Sequence, residues 1–328
     1  MKMEIAGFMN VFFFEAFEEE EAALRRYIIP GIECGYSWKT IQELGGFEPP
    51  APVISIRTQS LIPPEWAGKI KAVLTRSTGY DHLAAYRNLT GAKLNYGYLP
   101  LYCNRGVAEQ AMLLWMALLR KLPVQMRQFA EFKRDGITGR EVLAKKLLVV
   151  GVGNIGSEIV KIGQGLGMKV QGADPVKKHD FIDYVEFREG AAEADIVVCA
   201  MNLTSENNRY FNAERLALLK RGVIFINIAR GELSPAPALL EALETGQLSG
   251  AGLDVYERET ELGPALRGEK KITDPDLKAV LELMKRDDVI LTPHNAFNTR
   301  EAVERKSEQS MQQLEALNTT GSFIWNIP

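Results

Sequence analysis

The stretch KKLLVVGVGNIG, Lys145–Gly156, decides the fold. Its first half is an apolar run of the kind that forms a strand buried on both faces of a parallel sheet. Its second half is Gly-x-Gly-x-x-Gly, with glycines at 151, 153 and 156, and the helical segment IGSEIVKIGQGLG overlaps its end. Strand, glycine turn and helix in this order predict the first unit of a doubly wound α/β sheet.

The three glycines also predict a dinucleotide site. Gly151 allows the tight turn, Gly153 lets the backbone approach a pyrophosphate, and Gly156 lets helix and strand pack closely. Asp174 ends the next apolar run, where a carboxylate accepts hydrogen bonds from the adenosine ribose and repels a 2′-phosphate, so NAD is favoured over NADP. Lys177 and the lysine after it weaken that exclusion. The alternative is a structural turn beside a solvated aspartate.

Apolar runs alternate with helical stretches along the rest of the chain, which predicts parallel sheets. After Lys145 about six strands are expected, in KKLLVV, MKVQGAD, ADIVVCAMN, GVIFINIAR, LSGAGLDVY and DVILTPHN. The first hundred residues carry MEIAGFM, PVISIR, KAVLTRS and a weaker AKLNYG. Val107–Leu122 is apolar nearly all round and is expected to be a helix buried between domains or subunits. Arg258–Asp276 is charged and rich in turn residues, so a surface loop is predicted.

The composition is that of an ordinary globular protein. The 328 residues are 46% hydrophobic and 25% charged, with a formal net charge of -3, which gives no reason to expect nucleic acid as a partner. Cys34, Cys103 and Cys199 have no metal-ligand spacing, so neither a disulfide framework nor a metal site is expected. The apolar runs are too short for a membrane span, and acidic residues interrupt the N-terminal run. A cytoplasmic protein is therefore expected.

Polar residues follow three of the predicted strands, where ligands of open α/β sheets bind. FINIARG ends in Arg230, GLDVYERE carries Asp254, Glu257 and Glu259, and LTPHNAF carries His294. Arginine suits a carboxylate and a carbonyl oxygen, and histidine beside a carboxylate can donate or accept a proton near neutral pH. Together they favour hydride transfer to a 2-keto acid, although each residue alone has an ordinary structural explanation.

Six segments in order resemble the D-isomer-specific 2-hydroxyacid dehydrogenases: RSTGYDHL, GVAEQAMLLWMALLRK, VGVGNIG, FINIARGEL, GAGLDVYERE and LTPHNAF. The resemblance implies a Rossmann nucleotide-binding domain, residues 104–296, inserted into a flavodoxin-like substrate domain, residues 1–103 and 297–328, with a cleft between them. It also implies a homodimer joined through the nucleotide domains, with the Val107 helix near the interface.

The resemblance assigns roles residue by residue. The family's catalytic glutamate stands five residues after the LDV aspartate, which implies Glu259 rather than Glu257 beside Arg230 and His294. The implied cofactor contacts, besides the three glycines and Asp174, are Asn154 and Ile155 at the pyrophosphate, Met201 and Asn202 near adenine or ribose, Ala229, and Asp254 at the nicotinamide carboxamide. The implied substrate contacts are the N–H groups of Ser77, Thr78 and Gly79, with Arg230, Tyr102 and Phe297.

Tyr102, Phe297 and the charged segment after DVYERE resemble the D-lactate dehydrogenase branch, so pyruvate or a similar small 2-keto acid is the expected substrate. Two alternatives stay open. One is a bulkier 2-keto acid such as phenylpyruvate or hydroxypyruvate. The other is an NADH-sensing, corepressor-like binding protein on the same scaffold. Formate oxidation is disfavoured, because formate dehydrogenases carry glutamine where this chain has Glu259.

Overall fold

The computed structural model describes residues 9–328. These residues form two compact units, one of residues 9–103 and 298–328 and the other of residues 104–297. The second junction differs by one residue from the expected domain boundary. Most of the MEIAGFM run lies outside the described residues. No helix of residues 9–328 combines the length and the apolar character that a membrane crossing requires.

The first unit is built on a sheet of five parallel strands in the order β2-β1-β3-β4-β5. The strands are β1 (Met9–Phe13), β2 (Ile32–Tyr36), β3 (Val53–Ile56), β4 (Ala72–Thr75) and β5 (Asn95–Gly97). The first helices are α1 (Glu18–Arg26), α2 (Ile41–Leu44) and α3 (Asp81–Thr90). Strand β2, with the sequence IECGY, was not predicted, because a charge and a glycine interrupt its apolar pattern.

The second unit contains seven parallel strands in the order β12-β11-β10-β9-β6-β7-β8. They are β6 (Lys146–Val150), β7 (Lys169–Ala173), β8 (Asp183–Tyr184), β9 (Ile196–Cys199), β10 (Val223–Asn227), β11 (Leu248–Leu253) and β12 (Val289–Leu291). The six expected strands are present, and the seventh is the two-residue edge strand β8. Two doubly wound parallel sheets were predicted, and that prediction is confirmed.

The second unit has eight helices, of which the first two precede β6 and the other six lie between its strands. They are α4 (Asn104–Leu119), α5 (Leu122–Gln128), α6 (Asn154–Gly165), α7 (Phe187–Glu193), α8 (Ala213–Leu216), α9 (Ala236–Glu244), α10 (Glu259–Leu266) and α11 (Pro275–Leu283). Helix α4 packs on α6, β10 and β11 of its own unit, while Leu113 stays 53% exposed. Its apolar pattern is thus explained largely by contacts inside the unit.

The surface loop predicted for Arg258–Asp276 is wrong over its first half, which forms α10. Leu262 of this helix is buried with Leu277 and Val280 of α11. The many charges of the segment hid this single apolar anchor. After β12 the chain enters α12 (Arg300–Thr320), which packs against α1 and belongs to the first unit. The first unit is therefore discontinuous in sequence.

The chain order of the second sheet places its switch point between β6 and β9, which are paired neighbours. From β6 the chain moves outward to β7 and β8, and from β9 it moves to the opposite side through β10, β11 and β12. Ligands of such sheets bind beyond the carboxyl ends of the strands at this point. The fold therefore directs attention to the turns that follow β6, β9, β10, β11 and β12.

Candidate active site

Two of the three glycines in the turn between β6 and α6 cannot be replaced by a larger residue without moving the backbone. Gly151 has a φ of +90°, and a Cβ there would lie 2.7 Å from the backbone of Met201 after β9. A Cβ on Gly156 would lie 2.0 Å from the carbonyl oxygen of Gly151. A Cβ on Gly153, in contrast, would have no atom within 4 Å apart from its chain neighbours and the backbone of its own helix. The turn is thus packed tightly against other backbone at Gly151 and Gly156, while Gly153 has free space beside it.

The amino end of α6 and the Asp174 carboxylate complete this cradle. Gly153 is the N-cap of α6 and brings no capping side chain, so the positive end of the helix, near Asn154 and Ile155, lies at this turn. Asp174 Oδ2 accepts a hydrogen bond from the N–H of Val152 at 2.7 Å, and its other oxygen accepts from Val176 at 2.8 Å. A carboxylate has further lone pairs for ribose hydroxyls. These residues fit a dinucleotide.

Three further predicted cofactor residues, Met201, Asn202 and Ala229, follow β9 and β10. Met201 packs partly buried against the core of the sheet, and the carbonyl of Asn202 accepts a hydrogen bond from the Asn207 side chain at 2.7 Å. The N–H of Ala229 donates to the side-chain oxygen of Asn227 at 2.9 Å. These residues therefore lie at the carboxyl edge of the sheet, where ligands of doubly wound sheets bind.

The turn that carries Arg230 is shaped by a buried asparagine that sequence reasoning missed. Asn227 ends β10 and is fully buried, and its Nδ2 donates to the carbonyl of Arg230 at 2.8 Å and to Ser234 Oγ at 2.7 Å. Arg230 itself donates from Nη1 to the carbonyl of Ala229 at 2.8 Å. A polar residue closing the apolar run VIFIN was the available signal. Ser234 thus has a defined role as the partner of Asn227.

His294 and Glu259 are in direct contact. Nδ1 of His294 lies 2.8 Å from Oε2 of Glu259, and both side chains remain about one-fifth exposed. The other oxygen, Oε1, accepts a hydrogen bond from the N–H of Tyr256 at 3.0 Å. An ionised carboxylate only accepts, so the hydrogen of the ring pair lies on Nδ1 and Nε2 is left for another partner.

Glu257 has different surroundings, although it is only two residues from Glu259. It pairs with Arg209, with 3.9 Å between Nη1 and Oε2. Burial, and then the negative charge of Asp276, raise the pKa of Glu257. Its carboxylate belongs to a mixed charge cluster with Arg209 and Asp276. The family-based choice of Glu259 over Glu257 therefore agrees with the contact to His294.

Asp254 holds the segment that carries His294. The aspartate is fully buried, and its carboxylate accepts hydrogen bonds from Thr292 Oγ1 at 2.5 Å, from the N–H of Asn295 at 3.0 Å and from the N–H of Ala296 at 2.8 Å. His294 lies between these donors with a φ of +50°, a conformation that costs a non-glycine residue about 1–2 kcal/mol. Burial raises the pKa of Asp254, and the three hydrogen bonds oppose that rise.

In the first unit, the segment Ser77–Gly79 follows β4 and is called the 77–79 loop below. Ser77 Oγ donates to the carbonyl of Gly79 at 2.7 Å, and Thr78 Oγ1 donates to the carbonyl of Leu99 at 3.2 Å. Within residues 9–328 the three N–H groups of the loop donate to no protein acceptor. The side chains are thus used internally, and the backbone donors remain for an anion, as a carboxylate site requires.

Two aromatic residues were predicted near the substrate. Tyr102 lies in the first unit and is 4% exposed, and burial raises the pKa of its hydroxyl well above the usual range. Phe297 lies in the second unit, with its ring centroid 6.2 Å from that of His294 in an edge-on arrangement. No group of three or more His, Cys, Asp or Glu side chains in the described part of the chain could hold a metal ion.

Comparison with known proteins agrees with this geometry. The family model for the NAD-binding domain of D-isomer-specific 2-hydroxyacid dehydrogenases matches residues 112–296. An aromatic 2-oxoacid reductase of Clostridium sporogenes is 31% identical over 262 residues, 77% of either chain. A D-lactate dehydrogenase of Lactiplantibacillus plantarum is 30% identical over 261 residues, 77% of this chain and 76% of the relative.

Solved structures give the same result. A D-lactate dehydrogenase of Aquifex aeolicus, complexed with NAD and lactic acid, superimposes with a TM-score of 0.81 at 30% identity and covers 96% of this chain and 99% of its own. A D-2-hydroxyisocaproate dehydrogenase reaches a TM-score of 0.83 at 25% identity, with 97% and 99% covered. A glycine cradle for NAD, a histidine–carboxylate pair on neighbouring strand ends and these matches lead to one conclusion: the chain belongs to the NAD-dependent D-isomer-specific 2-hydroxyacid dehydrogenases.

Proposed function

We propose that this dehydrogenase interconverts pyruvate, or a 2-keto acid of similar size, and the matching D-2-hydroxy acid. The observation that carries the proposal is the 2.8 Å contact between His294 Nδ1 and Glu259. It follows two neighbouring strands, β11 and β12, of the sheet that also carries the glycine turn. Relatives named D-lactate dehydrogenase support the choice of a small substrate.

In the proposed reaction NADH supplies the hydride that the carbonyl carbon accepts. His294 donates the proton from Nε2 to the carbonyl oxygen, and the reverse reaction returns it. Glu259 orients the ring through Nδ1 and stabilises its protonated form. Arg230 binds the substrate carboxylate and polarises the carbonyl, and the N–H groups of the 77–79 loop bind the carboxylate.

A bulkier substrate is the second candidate, because a relative at 31% identity is named aromatic 2-oxoacid reductase. We assign the side-chain end of the substrate to Tyr102 and Phe297. Both are aromatic, and both are compatible with an alkyl or an aryl substituent. The chemistry at His294 would be the same for either substrate.

Asp174 is proposed to favour NAD over NADP. Its carboxylate already accepts hydrogen bonds from the N–H groups of Val152 and Val176, which fix it at the end of β7. A fixed negative charge repels a ribose 2′-phosphate. We propose further that the protein works in the cytoplasm, which agrees with three cysteines that are free thiols in the structure.

We also propose a homodimer that uses an apolar surface of the second unit, formed by α4, α5 and the turn after α5. Met126 is 69% exposed, Phe129 75% and Phe132 70%, with Leu113 53% exposed on α4. Large exposed apolar side chains that are close in sequence are typical of association sites. Sedimentation velocity of the wild type and of the Phe129→Glu/Phe132→Glu variant tests this: a dimer that becomes a monomer supports it, and an unchanged mass contradicts it.

The first experiment measures NADH consumption with pyruvate, 4-methyl-2-oxopentanoate and phenylpyruvate, and repeats it with NADPH. Fast turnover of pyruvate supports the lactate-type proposal, and turnover of phenylpyruvate alone supports the second candidate. His294→Gln is expected to abolish turnover while NADH binding, followed by fluorescence, is retained. Tight NADH binding without turnover of any acid by the wild type would overturn the enzymatic proposal and point to an NADH sensor.

A further inference from the structure

A triad of ionic side chains is buried in the first unit, beside the 77–79 loop, and the mechanism above does not use it. The triad consists of Glu20 on α1, Arg76 after β4 and Lys306 on α12, which are 3%, 0% and 1% exposed. Arg76 Nε lies 2.7 Å from Glu20 Oε1, and Lys306 Nζ lies 2.9 Å from Oε2. One carboxylate thus bridges two cations from different elements.

The triad is an unusual feature for a protein interior. Lysine is almost never fully buried, and a buried ion pair gives little or no net stability compared with apolar residues of similar size. Stability therefore does not account for it. Its location offers another explanation, because Arg76 is the residue directly before the 77–79 loop.

Two chains of contacts connect Lys306 with that loop. The first runs through Glu20 to Arg76, whose guanidinium also donates to Ser55 Oγ at 3.0 Å and to the carbonyl of Phe14 at 2.6 Å. The backbone that leaves Arg76 is thereby fixed at the start of the loop.

The second chain of contacts runs through the segment after β5. Lys306 Nζ lies 5.9 Å from the ring centroid of Tyr102, and the preceding Arg305 donates to the carbonyl of Tyr102 at 2.8 Å. The next residue, Cys103, has its sulfur 3.5 Å from Thr78 Oγ1 in the loop. Lys306 is thus connected, through these neighbours, both to the 77–79 loop and to Tyr102, the predicted substrate contacts of this unit.

We propose that Lys306 is a positioning residue for the substrate carboxylate, acting through Glu20 and Arg76 on the 77–79 loop, and that its charge controls how tightly the 2-keto acid binds. This inference rests on the proposed function. The protonated amine neutralises Glu20 and adds positive potential near the loop. Loss of its proton weakens both effects, and hydride transfer itself is not affected.

Lys306 can lose its proton within the pH range in which the enzyme can be assayed. Burial lowers the pKa of Lys306 to about 8, although Glu20 opposes that change. Burial disfavours the charge of Glu20, but Arg76, Lys306 and Arg57 together hold the pKa of Glu20 at about 2. Keto-acid binding is therefore expected to weaken above about pH 8. The charged or titratable groups around Lys306 are Glu20 on α1, Arg57 after β3, Arg76 after β4, Tyr102 and Cys103 after β5, and Arg305 on α12.

The test compares two variants that change the charge in opposite ways. Lys306→Gln keeps a hydrogen-bond donor for Glu20 but is always neutral, and Lys306→Arg stays charged at every accessible pH. KM and kcat for the acid that the wild type reduces fastest are measured from about pH 6.5 to about pH 9.5. Lys69→Gln is the control, because Lys69 forms an exposed pair with Glu48 in the same unit.

Lys306→Gln is expected to raise the KM about threefold to tenfold at neutral pH, with kcat unchanged. Lys306→Arg is expected to keep the low wild-type KM above pH 8. If one of the two variants does not fold, the KM of the other is sufficient to test the inference. A KM that follows the wild type at every pH in either folded variant would overturn the inference. Absence of turnover in the wild type would instead refute the proposed function.

Discussion

His294 takes its carboxylate partner from Glu259, at 2.8 Å, and not from Glu257, which lies two residues earlier. The amino end of α10 is responsible, because Glu259 is the first residue of this helix and Arg258 before it has a φ of +60°. The left-handed conformation of Arg258 turns the chain, so that the side chains of Glu257 and Glu259 have different neighbours. Substitution of each glutamate in turn can therefore test whether the contact with His294 matters for catalysis.

Glu259→Gln is expected to lower kcat for keto-acid reduction about tenfold to a hundredfold. The amide lacks the negative charge that stabilises the imidazolium of His294 in the proposed reaction. Glu257→Gln is the matched control, and its kcat should stay within about twofold of the wild type. Equal losses in the two variants would contradict the role given to Glu259.

Gly156→Ala is expected to damage the dinucleotide cradle, because the added Cβ would lie 2.0 Å from the carbonyl oxygen of Gly151. The clash is with backbone, so the turn must move, which costs about 1–3 kcal/mol of stability and weakens NADH binding. Gly165→Ala in the same helix is the control, since no atom lies within 4 Å of its Cβ position. NADH titration and thermal melting of both variants test this, and tight NADH binding by Gly156→Ala would refute it.

The glycine cradle was predictable from sequence because it is local. The apolar strand, the glycine spacing and the acid after β7 all lie within thirty consecutive residues, 145–174. The pairing of Glu259 with His294 was implied only through family resemblance, because these residues are 35 positions apart. Periodicity gives no information on which of two nearby acids will face a distant ring.

Other parts of the site depend on contacts that no local pattern encodes. Thr292 was not selected from the sequence, although it donates to Asp254 across 38 positions. The triad of Glu20, Arg76 and Lys306 joins residues from both ends of the chain, which looked like ordinary charges on helices and after a strand. Only the return of α12 to the first unit buries them together.

Asp174→Ala is expected to raise the KM for NADH about tenfold and to reduce the preference for NADH over NADPH. The variant loses both the acceptor for ribose hydroxyls and the hydrogen bond that holds the N–H of Val152. Asp183→Ala is the control, because Asp183 lies on the adjacent strand and accepts only from the Gln171 side chain among the described contacts. An unchanged ratio of the two KM values in Asp174→Ala would contradict the proposed selectivity.

Thr292→Val tests the support of His294 by Asp254 with a nearly isosteric change. Burial raises the pKa of Asp254, and the hydrogen bond from Thr292 is the first of the contacts that lower it. Removing that donor should raise the pKa further, so Asp254 takes up a proton at a higher pH than in the wild type. The ionised aspartate accepts the N–H groups of Asn295 and Ala296, and its protonation loosens the turn that presents His294.

The acid limb of kcat for Thr292→Val should therefore move upward, by about half to one pH unit, since one hydrogen bond contributes about 1 kcal/mol. Thr245→Val is the control, because Thr245 is on the same unit and donates only to carbonyl oxygens of its own helix. An acid limb that stays where it is in Thr292→Val would show that the charge of Asp254 does not hold the His294 turn in its active geometry.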